Sequence, residues 1–81
     1  MNLDDTRFLQ SLGFRIRERR LARGLTQEQL GKLCELHRTF IGSVERGERN
    51  LSILNIRQIA RILRVPLSEL FVESRTGGHN G

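Results

Sequence analysis

Apolar side chains recur at helical spacing between residues 5 and 23, and this pattern predicts a first helix there. The apolar positions of the segment are Phe8, Leu9, Leu12, Ile16 and Leu21. Asp4, Asp5 or Thr6 is expected to cap the start of this helix, because each side chain can accept a hydrogen bond from a free amide of the first turn. Gly24 is expected to end it.

The next helical pattern is shorter and is preceded by a capping residue. Residues 27–34 are predicted to form a second helix, and the Thr26 hydroxyl can cap it. Gln29 stands where a capping box places Glu or Gln. Residues 35–37 then form a turn, and a third helix is predicted over residues 38–46. The two helices are both short and lie close together in sequence.

Two more helices are predicted after Gly47, which is expected to stop the third. Ser52 can cap a fourth helix that runs to about residue 64, and Pro66 suits the opening of a fifth helix over residues 67 to about 72. The positions expected to point inward in the third and fourth helices are Ile41, Val44, Ile53, Ile56, Ile59, Ala60 and Leu63.

The composition agrees with a small helical domain. A chain of 81 residues is long enough for one hydrophobic core and too short for two. Because the chain has no Trp or Tyr, the core must be built from Leu, Ile and Val, and this favours packed helices over a β-sandwich. We therefore expect an all-α fold, a compact five-helix bundle over residues 1–73. Residues 74–81 hold no apolar side chain and are expected to form a disordered tail.

The charge of the chain favours a polyanionic partner. Lys and Arg total 14 against 9 Asp and Glu, which gives a formal net charge of +5. Lys32 is the only lysine, so nearly all the basic residues are Arg, which suits bidentate contacts to phosphate and to guanine. A GC-rich genome would produce the same preference for Arg, so charge by itself leaves the function open.

Several classes of protein are disfavoured by what the sequence contains. Cys34 is the only cysteine, which excludes an internal disulfide and a multi-cysteine metal site and indicates a reducing, cytoplasmic location. The first residues are acidic where a signal peptide would be basic, and no apolar run is as long as a membrane span. The sequence has no Cys-His pair and no Gly-rich phosphate loop. We expect no cofactor, no metal and no enzymatic activity.

The second and third predicted helices, with their three-residue turn, form a unit that can offer its second helix to the major groove of DNA. The positions that must pack these helices together are all apolar or small: Leu30, Gly31, Cys34, Leu36, Ile41 and Val44. Gly31 is expected where the two helices cross most closely. Any helical hairpin needs such a pattern, so the packing positions alone do not establish DNA binding.

The runs RGLTQEQL, FIGSVERG and NLSILNIRQIARILRVPLSELF resemble the Cro and phage-repressor type of helix-turn-helix regulator, the xenobiotic-response-element class. The resemblance covers about residues 12–72. Within that class, LHRTFIGSVERGERNLS is similar to the controller proteins of restriction-modification systems. The resemblance implies a lambda-repressor-like fold and a homodimeric transcriptional regulator that binds a palindromic operator in double-stranded DNA. RNA polymerase is a further candidate partner.

Carried over position by position, the resemblance implies two kinds of DNA contact. The residues implied to face base edges are Arg38, Thr39 and Ser43, together with Arg49, which would reach a base or a phosphate. The residues implied to hold the phosphate backbone are Thr26, Gln27, Arg46 and Asn50, and His37 is a further candidate. The resemblance also implies a buried ion pair between Arg20 and Glu45; the alternative is two unpaired surface charges.

Three residues depart from the pattern of the class. Glu35 occupies a turn position that often holds Gly or Asn in a left-handed conformation, so some strain is expected there. His37 replaces the usual Ser, Thr or Asp cap of the third helix, and it either contacts a phosphate or is tolerated. Gly42 lies inside that helix, where Ser is common. Both a close approach to DNA and sequence drift would account for it.

The chain holds more apolar residues than one five-helix unit can bury, so several are expected in a homodimer interface. The interface is expected at the end of the fourth helix and in the fifth, with Ile62, Leu67, Leu70, Phe71 and Val72, and with Leu70 and Phe71 as its anchors. This arrangement would set two recognition helices one DNA turn apart, roughly 34 Å.

Two other functions stay open. An antitoxin would use the same fold to bind DNA and would also bind a toxin, but the tail is short and lacks apolar residues. A protein-interaction module would keep the fold without binding DNA. The set of Gln27, Arg38, Arg46 and Arg49 argues against such a module.

Overall fold

The computed structural model describes residues 2–71, and within this range all regular secondary structure is helical. The five helices are α1 (Leu3–Ala22), α2 (Gln27–Cys34), α3 (Arg38–Glu45), α4 (Ile53–Leu63) and α5 (Leu67–Leu70). The expectation of an all-α fold with five helices is confirmed. Val72 and the expected tail of residues 74–81 lie outside the described residues, so the predicted domain boundary stays a prediction.

The first helix begins earlier than predicted because Asn2 caps it. The Asn2 Oδ1 atom accepts a hydrogen bond from the Asp5 backbone N–H at 2.8 Å. Asp4 and Asp5 lie in the first turn, where carboxylates interact favourably with the helix dipole. The prediction that residue 4, 5 or 6 caps the helix is wrong, since all three are already helical. The helix ends before Gly24, which adopts a φ of +69°.

The second helix begins and ends where the sequence predicts. The Thr26 hydroxyl accepts from the Gln29 N–H at 3.0 Å, and the Gln29 Oε1 atom accepts from the Thr26 N–H at 2.8 Å, which completes the capping box. Glu35 ends α2 with a φ of 59°, in the left-handed region where the sequence led us to expect strain.

Each of the four longer helices places one residue at the centre of the core. Ile16, Leu30, Ile41 and Ile59 are all fully buried, and Leu70 of α5 is 1% exposed. The third helix packs against both α2 and α1, and α4 packs against α2 and α5. One face of α3 therefore packs against the core, and the opposite face is exposed to solvent.

Two glycines allow α3 to lie close to its neighbours. A Cβ atom on Gly31 would overlap the backbone oxygen of Leu36 in the turn and would lie 3.4 Å from the Arg38 backbone nitrogen at the start of α3, so α2 closely approaches the turn and the first residue of α3. A Cβ atom on Gly13 would overlap the backbone oxygens of Val44 and Glu45 at the end of α3. The sequence analysis missed Gly13, because a single glycine in a long helix has no local signature of a tertiary contact.

Two apolar residues of the helical patterns lie at the surface. Leu21 is 54% exposed because Arg20, four residues after Ile16, occupies the buried position at this end of α1. Ile53 is 61% exposed because it is the first residue of α4 and extends past the core that Ile56 helps to form. The prediction that Ile53 points inward is wrong.

Candidate nucleic-acid interface

The exposed face of α3 carries the residues that the sequence assigned to base contacts. At about 100° per residue, positions 38, 39, 42, 43 and 46 fall within an arc of roughly 140°. Ile41 and Val44 point the other way, into the core. Arg38, Thr39 and Arg46 are exposed, and Ser43 is half-buried. We call this arc of five positions the reading face.

The start of α2 meets the reading face in a shallow groove. The groove has a volume of about 280 Å³ and is lined by Gln27, Arg38, Thr39, Gly42 and Arg46. It brings residues assigned to base edges and residues assigned to phosphates into one surface. The α2 N-terminus beside them offers backbone amides, which favour an anion such as a phosphate.

A buried ion pair fixes α3 against α1. The Arg20 Nε atom donates to Glu45 Oε2 at 2.6 Å, and Arg20 Nη2 donates to Glu45 Oε1 at 3.0 Å. The two side chains are only 7% and 2% exposed. Arg20 Nη1 also donates to the Leu25 carbonyl at 2.7 Å, which ties down the loop before α2. A bidentate pair of this kind sets both the position and the orientation of α3.

The same buried carboxylate holds Gln27. The Gln27 Nε2 atom donates to Glu45 Oε1 at 3.0 Å, so the side chain assigned to a phosphate contact is positioned from inside the protein. The sequence analysis did not foresee this bond, since residues 27 and 45 come together only when α2 and α3 pack.

Gly42 leaves space that side chains of the same chain occupy. A Cβ atom at this position would lie 3.3 Å from both Gln27 Oε1 and Arg46 Nη1. The two explanations considered from the sequence, a close approach to DNA and drift, did not include this one. The glycine lets both polar side chains lie over the middle of α3.

His37 caps α3 through its imidazole ring. The His37 Nδ1 atom accepts from the Thr39 backbone N–H at 3.1 Å and lies 2.9 Å from the Thr39 hydroxyl oxygen. The ring therefore supplies the N-terminal hydrogen bond that Ser, Thr or Asp would otherwise make. It lies in a shallow hollow shared with Glu28, Lys32 and Arg38.

The polar side chains after the middle of α3 are also held within the chain. The Ser43 hydroxyl donates to the Phe40 carbonyl at 2.8 Å and keeps its capacity to accept. Arg46 Nε lies 3.2 Å from Glu48 Oε1 in an exposed ion pair. The Arg49 guanidinium lies 5.2 Å from the centre of the Phe40 ring, a cation–π distance that the sequence analysis did not anticipate.

Thr26 and Asn50 differ in how their side chains are used. The Thr26 hydroxyl oxygen accepts within the capping box of α2, and the hydroxyl keeps its capacity to donate. Asn50 is exposed and lines a hollow with Asp5, Phe8 and Leu9, beside the N-terminal half of α1. Asn50 therefore borders α1 as well as the end of α3.

The residues expected in a dimer interface have different environments in the single chain. Leu70 is 1% exposed and belongs to the core, so it has almost no surface to bury against a partner, and its assignment as a dimer anchor is wrong. Phe71 is half-buried and stacks on Phe8 with 6.1 Å between ring centres. Ile62 and Leu67 are also half-buried and pack against the core.

The largest apolar exposure on α4 lies at its start. Ile53 is 61% exposed and its neighbour Leu54 is 67% exposed. The sequence analysis placed the interface at the other end of this helix. The structure leaves apolar surface at both ends.

Burial raises the pKa of the Cys34 thiol above its ordinary value, since the surrounding core disfavours the thiolate. Across residues 2–71, no group of three His, Cys, Asp or Glu side chains is arranged to hold a metal ion. No helix in the described range is both long and apolar enough to cross a membrane.

The helix-turn-helix family matches residues 16–70, and the chain belongs to this family. The control protein C.BamHI of Bacillus amyloliquefaciens is 42% identical over 59 residues, which cover 72% of this chain and 73% of the relative. The control protein C.SmaI of Serratia marcescens is 36% identical over 66 residues, covering 82% of this chain and 79% of the relative.

A solved structure of the same kind supports the likeness. The restriction-modification controller protein C.AhdI from Aeromonas hydrophila superposes with a TM-score of 0.75 at 48% sequence identity, over 78% of this chain and 96% of that one. The resemblance to Cro-type helix-turn-helix regulators, and to restriction-modification controllers among them, is confirmed.

Proposed function

We propose that the protein is a sequence-specific DNA-binding transcriptional regulator, which binds a palindromic operator as a homodimer and controls a restriction-modification system. The observation that carries the proposal is the reading face of α3, held from behind by the buried pair of Arg20 and Glu45. Its likeness to proteins named as restriction-modification controllers supports the biological setting. Such a regulator acts on DNA in the cytoplasm, and its role is binding rather than catalysis.

In this proposal α3 lies in the major groove. Its base contacts come from Arg38, Thr39 and Ser43, with Arg49 at the edge of the groove. The flanking phosphates are held by Thr26, Gln27, His37, Arg46 and Asn50. A net charge of +5 favours the approach to DNA, and the amides at the start of α2 favour a phosphate there.

The operator requires two copies of the chain. One recognition helix reads too few bases to define a site in a genome, and the second half-site supplies the missing specificity. We place the dimer interface on accessible apolar residues of α4, of α5 and of the position after it, namely Ile53, Leu54, Ile62, Leu67 and Phe71. If the regulator activates transcription, RNA polymerase becomes a further partner.

Selection from random duplexes tests the proposal. Several rounds of gel-shift enrichment at low salt should yield a roughly two-fold symmetric sequence. Its affinity should then fall steeply as salt rises, because several phosphates are neutralised and their counterions released. The matched control is the Arg38→Ala variant on the enriched duplex. If the wild-type chain enriches no sequence, DNA recognition is the wrong function for this surface.

The setting is tested separately from DNA binding. The enriched sequence should lie upstream of genes for an endonuclease and a methyltransferase in the source genome. A site beside a small toxic protein would instead favour the antitoxin function and would redirect the search toward a protein partner.

A further inference from the structure

Thr39 is the first exposed hydroxyl of the reading face, and its side chain contacts the imidazole that caps α3. The His37 Nδ1 atom receives the Thr39 backbone N–H at 3.1 Å. The Thr39 hydroxyl oxygen lies 2.9 Å from the same nitrogen. Both residues are exposed, so the pair stands where DNA would approach.

The cap determines which atom carries each proton. A neutral imidazole has one nitrogen that donates and one that accepts. Because Nδ1 accepts the Thr39 N–H, it carries no proton, and the ring proton lies on Nε2. Two bare electronegative atoms 2.9 Å apart would repel each other, so the hydrogen between Nδ1 and the hydroxyl oxygen comes from the hydroxyl. The Thr39 side chain therefore donates its only proton to His37.

We propose that His37 makes Thr39 a hydrogen-bond acceptor only, so that Thr39 selects a base with an exposed amino group. In the major groove that group is N6 of adenine or N4 of cytosine. A free threonine hydroxyl can donate or accept and distinguishes bases poorly. The inference rests on the proposed DNA-binding function and specifies what one position of the reading face recognises.

The opposite protonation state gives a different preference. With a proton on Nδ1, the ring would donate to the Thr39 oxygen, the hydroxyl proton would be free, and the Thr39 N–H would lose its acceptor. With a bare Nδ1, the two Thr39 donors share its single lone pair, whereas in the alternative the ring accepts from neither of them. The capping bond and the base preference are thus set by the same nitrogen.

The first test removes the hydroxyl. The base pair read by Thr39 is the one whose preference disappears when the enriched operator is reselected with Thr39→Val. The wild-type chain should prefer adenine or cytosine there on the contacted strand. An operator with 2′-deoxyribosylpurine in place of adenine, or 2-pyrimidinone in place of cytosine, lacks the amino group. The wild type should bind this modified operator about three- to tenfold more weakly per half-site than the enriched operator. Thr39→Val should bind the modified and the enriched operator equally.

The second test changes the residue that orients the hydroxyl. His37→Ala removes the acceptor and frees the Thr39 proton, so the preference for amino-bearing bases should shrink toward equality with guanine and thymine. His37→Asn keeps an oxygen acceptor at the cap and should keep the preference. Circular dichroism on both variants checks that α3 still forms.

The outcomes separate the inference from the function on which it rests. Equal base preference in His37→Ala and His37→Asn overturns the inference, even if operator binding is intact. Wild-type binding that is unchanged when the amino group is removed from that base pair also overturns it. If the wild type enriches no duplex, the proposed function fails first.

Discussion

Gly42 lies in the middle of α3, and the side chains of Gln27 and Arg46 lie over it. Glycine inside a helix is less favourable than alanine by about 1 kcal/mol. The added methyl would be 3.3 Å from Gln27 Oε1 and from Arg46 Nη1, so these two side-chain ends must shift by a few tenths of an ångström. Helix stability and the arrangement of the reading face therefore make opposite demands at this residue.

Gly42→Ala is expected to raise the free energy of unfolding by up to about 1 kcal/mol while weakening operator binding. The affinity should fall because Gln27 and Arg46 are displaced from the groove. Thermal unfolding and gel-shift titration measure the two effects. The matched control is Gly31→Ala, which should destabilise the protein because its methyl would meet backbone. A Gly42→Ala variant that binds as tightly as the wild type would show that the displacement is harmless.

Glu45→Gln should destabilise the chain by about 3–5 kcal/mol, because it leaves the buried Arg20 guanidinium without a counter-charge. Urea denaturation measures the loss. The control is Glu48→Gln, which breaks the exposed pair with Arg46 and should cost less than about 1 kcal/mol. Similar values for the two variants would mean that the buried pair is weak or hydrated.

Some side-chain contacts could be predicted from the sequence and others could not. The residue types at positions 20 and 45 match a known family pattern, so the sequence was enough to predict that they meet. The bond between Gln27 and Glu45 depends on how α2 and α3 pack, and the contact of Arg49 with Phe40 depends on the path of the chain after α3. No local pattern encodes such contacts.

Among the elements, the helices bounded by local signals were predicted best. Thr26 and Gln29 form a capping box and are three positions apart, and α2 begins where they place it. The start of α1 was predicted two residues late because several neighbouring residues could cap it and the competition is decided by backbone geometry. The exposure of Ile53 depends on where the core ends. The spacing of apolar residues along one helix does not indicate that limit.

The reading face as a unit predicts different roles for α3 and the start of α2. Arg38→Ala should relax the preference at one base pair per half-site, since a bidentate base contact discriminates by roughly 1–3 kcal/mol. Gln27→Ala should weaken binding to all sequences about equally, because a phosphate contact carries no sequence information. Competition with single-base operator variants distinguishes the two substitutions. If both lowered the affinity for all operator variants equally, the assignment of Arg38 to a base contact would be wrong.

At the scale of the whole molecule, the apolar side chains that stay accessible in the single chain form the surface proposed for the dimer interface. Leu54→Asp should leave a folded chain, since the side chain is 67% exposed, but should shift the equilibrium toward monomer and weaken operator binding. Sedimentation velocity and circular dichroism measure the two properties. Leu70→Asp is the contrasting variant and should unfold the chain, because a charge would enter the core. A Leu54→Asp protein that stays dimeric would place the interface at the α5 end.

The buried Cys34 thiol gives the chain an internal reporter of its own opening. Burial favours the protonated thiol over the thiolate. The stability that the buried neutral thiol contributes is therefore kept at ordinary pH and is lost only as the pH rises through the raised pKa. Since Cys34 is the last residue of α2 and is 2% exposed, a thiol reagent should reach it only when the helix-turn-helix opens. The rate of labelling therefore measures how often that opening occurs, and bound operator should slow the labelling in proportion to its occupancy.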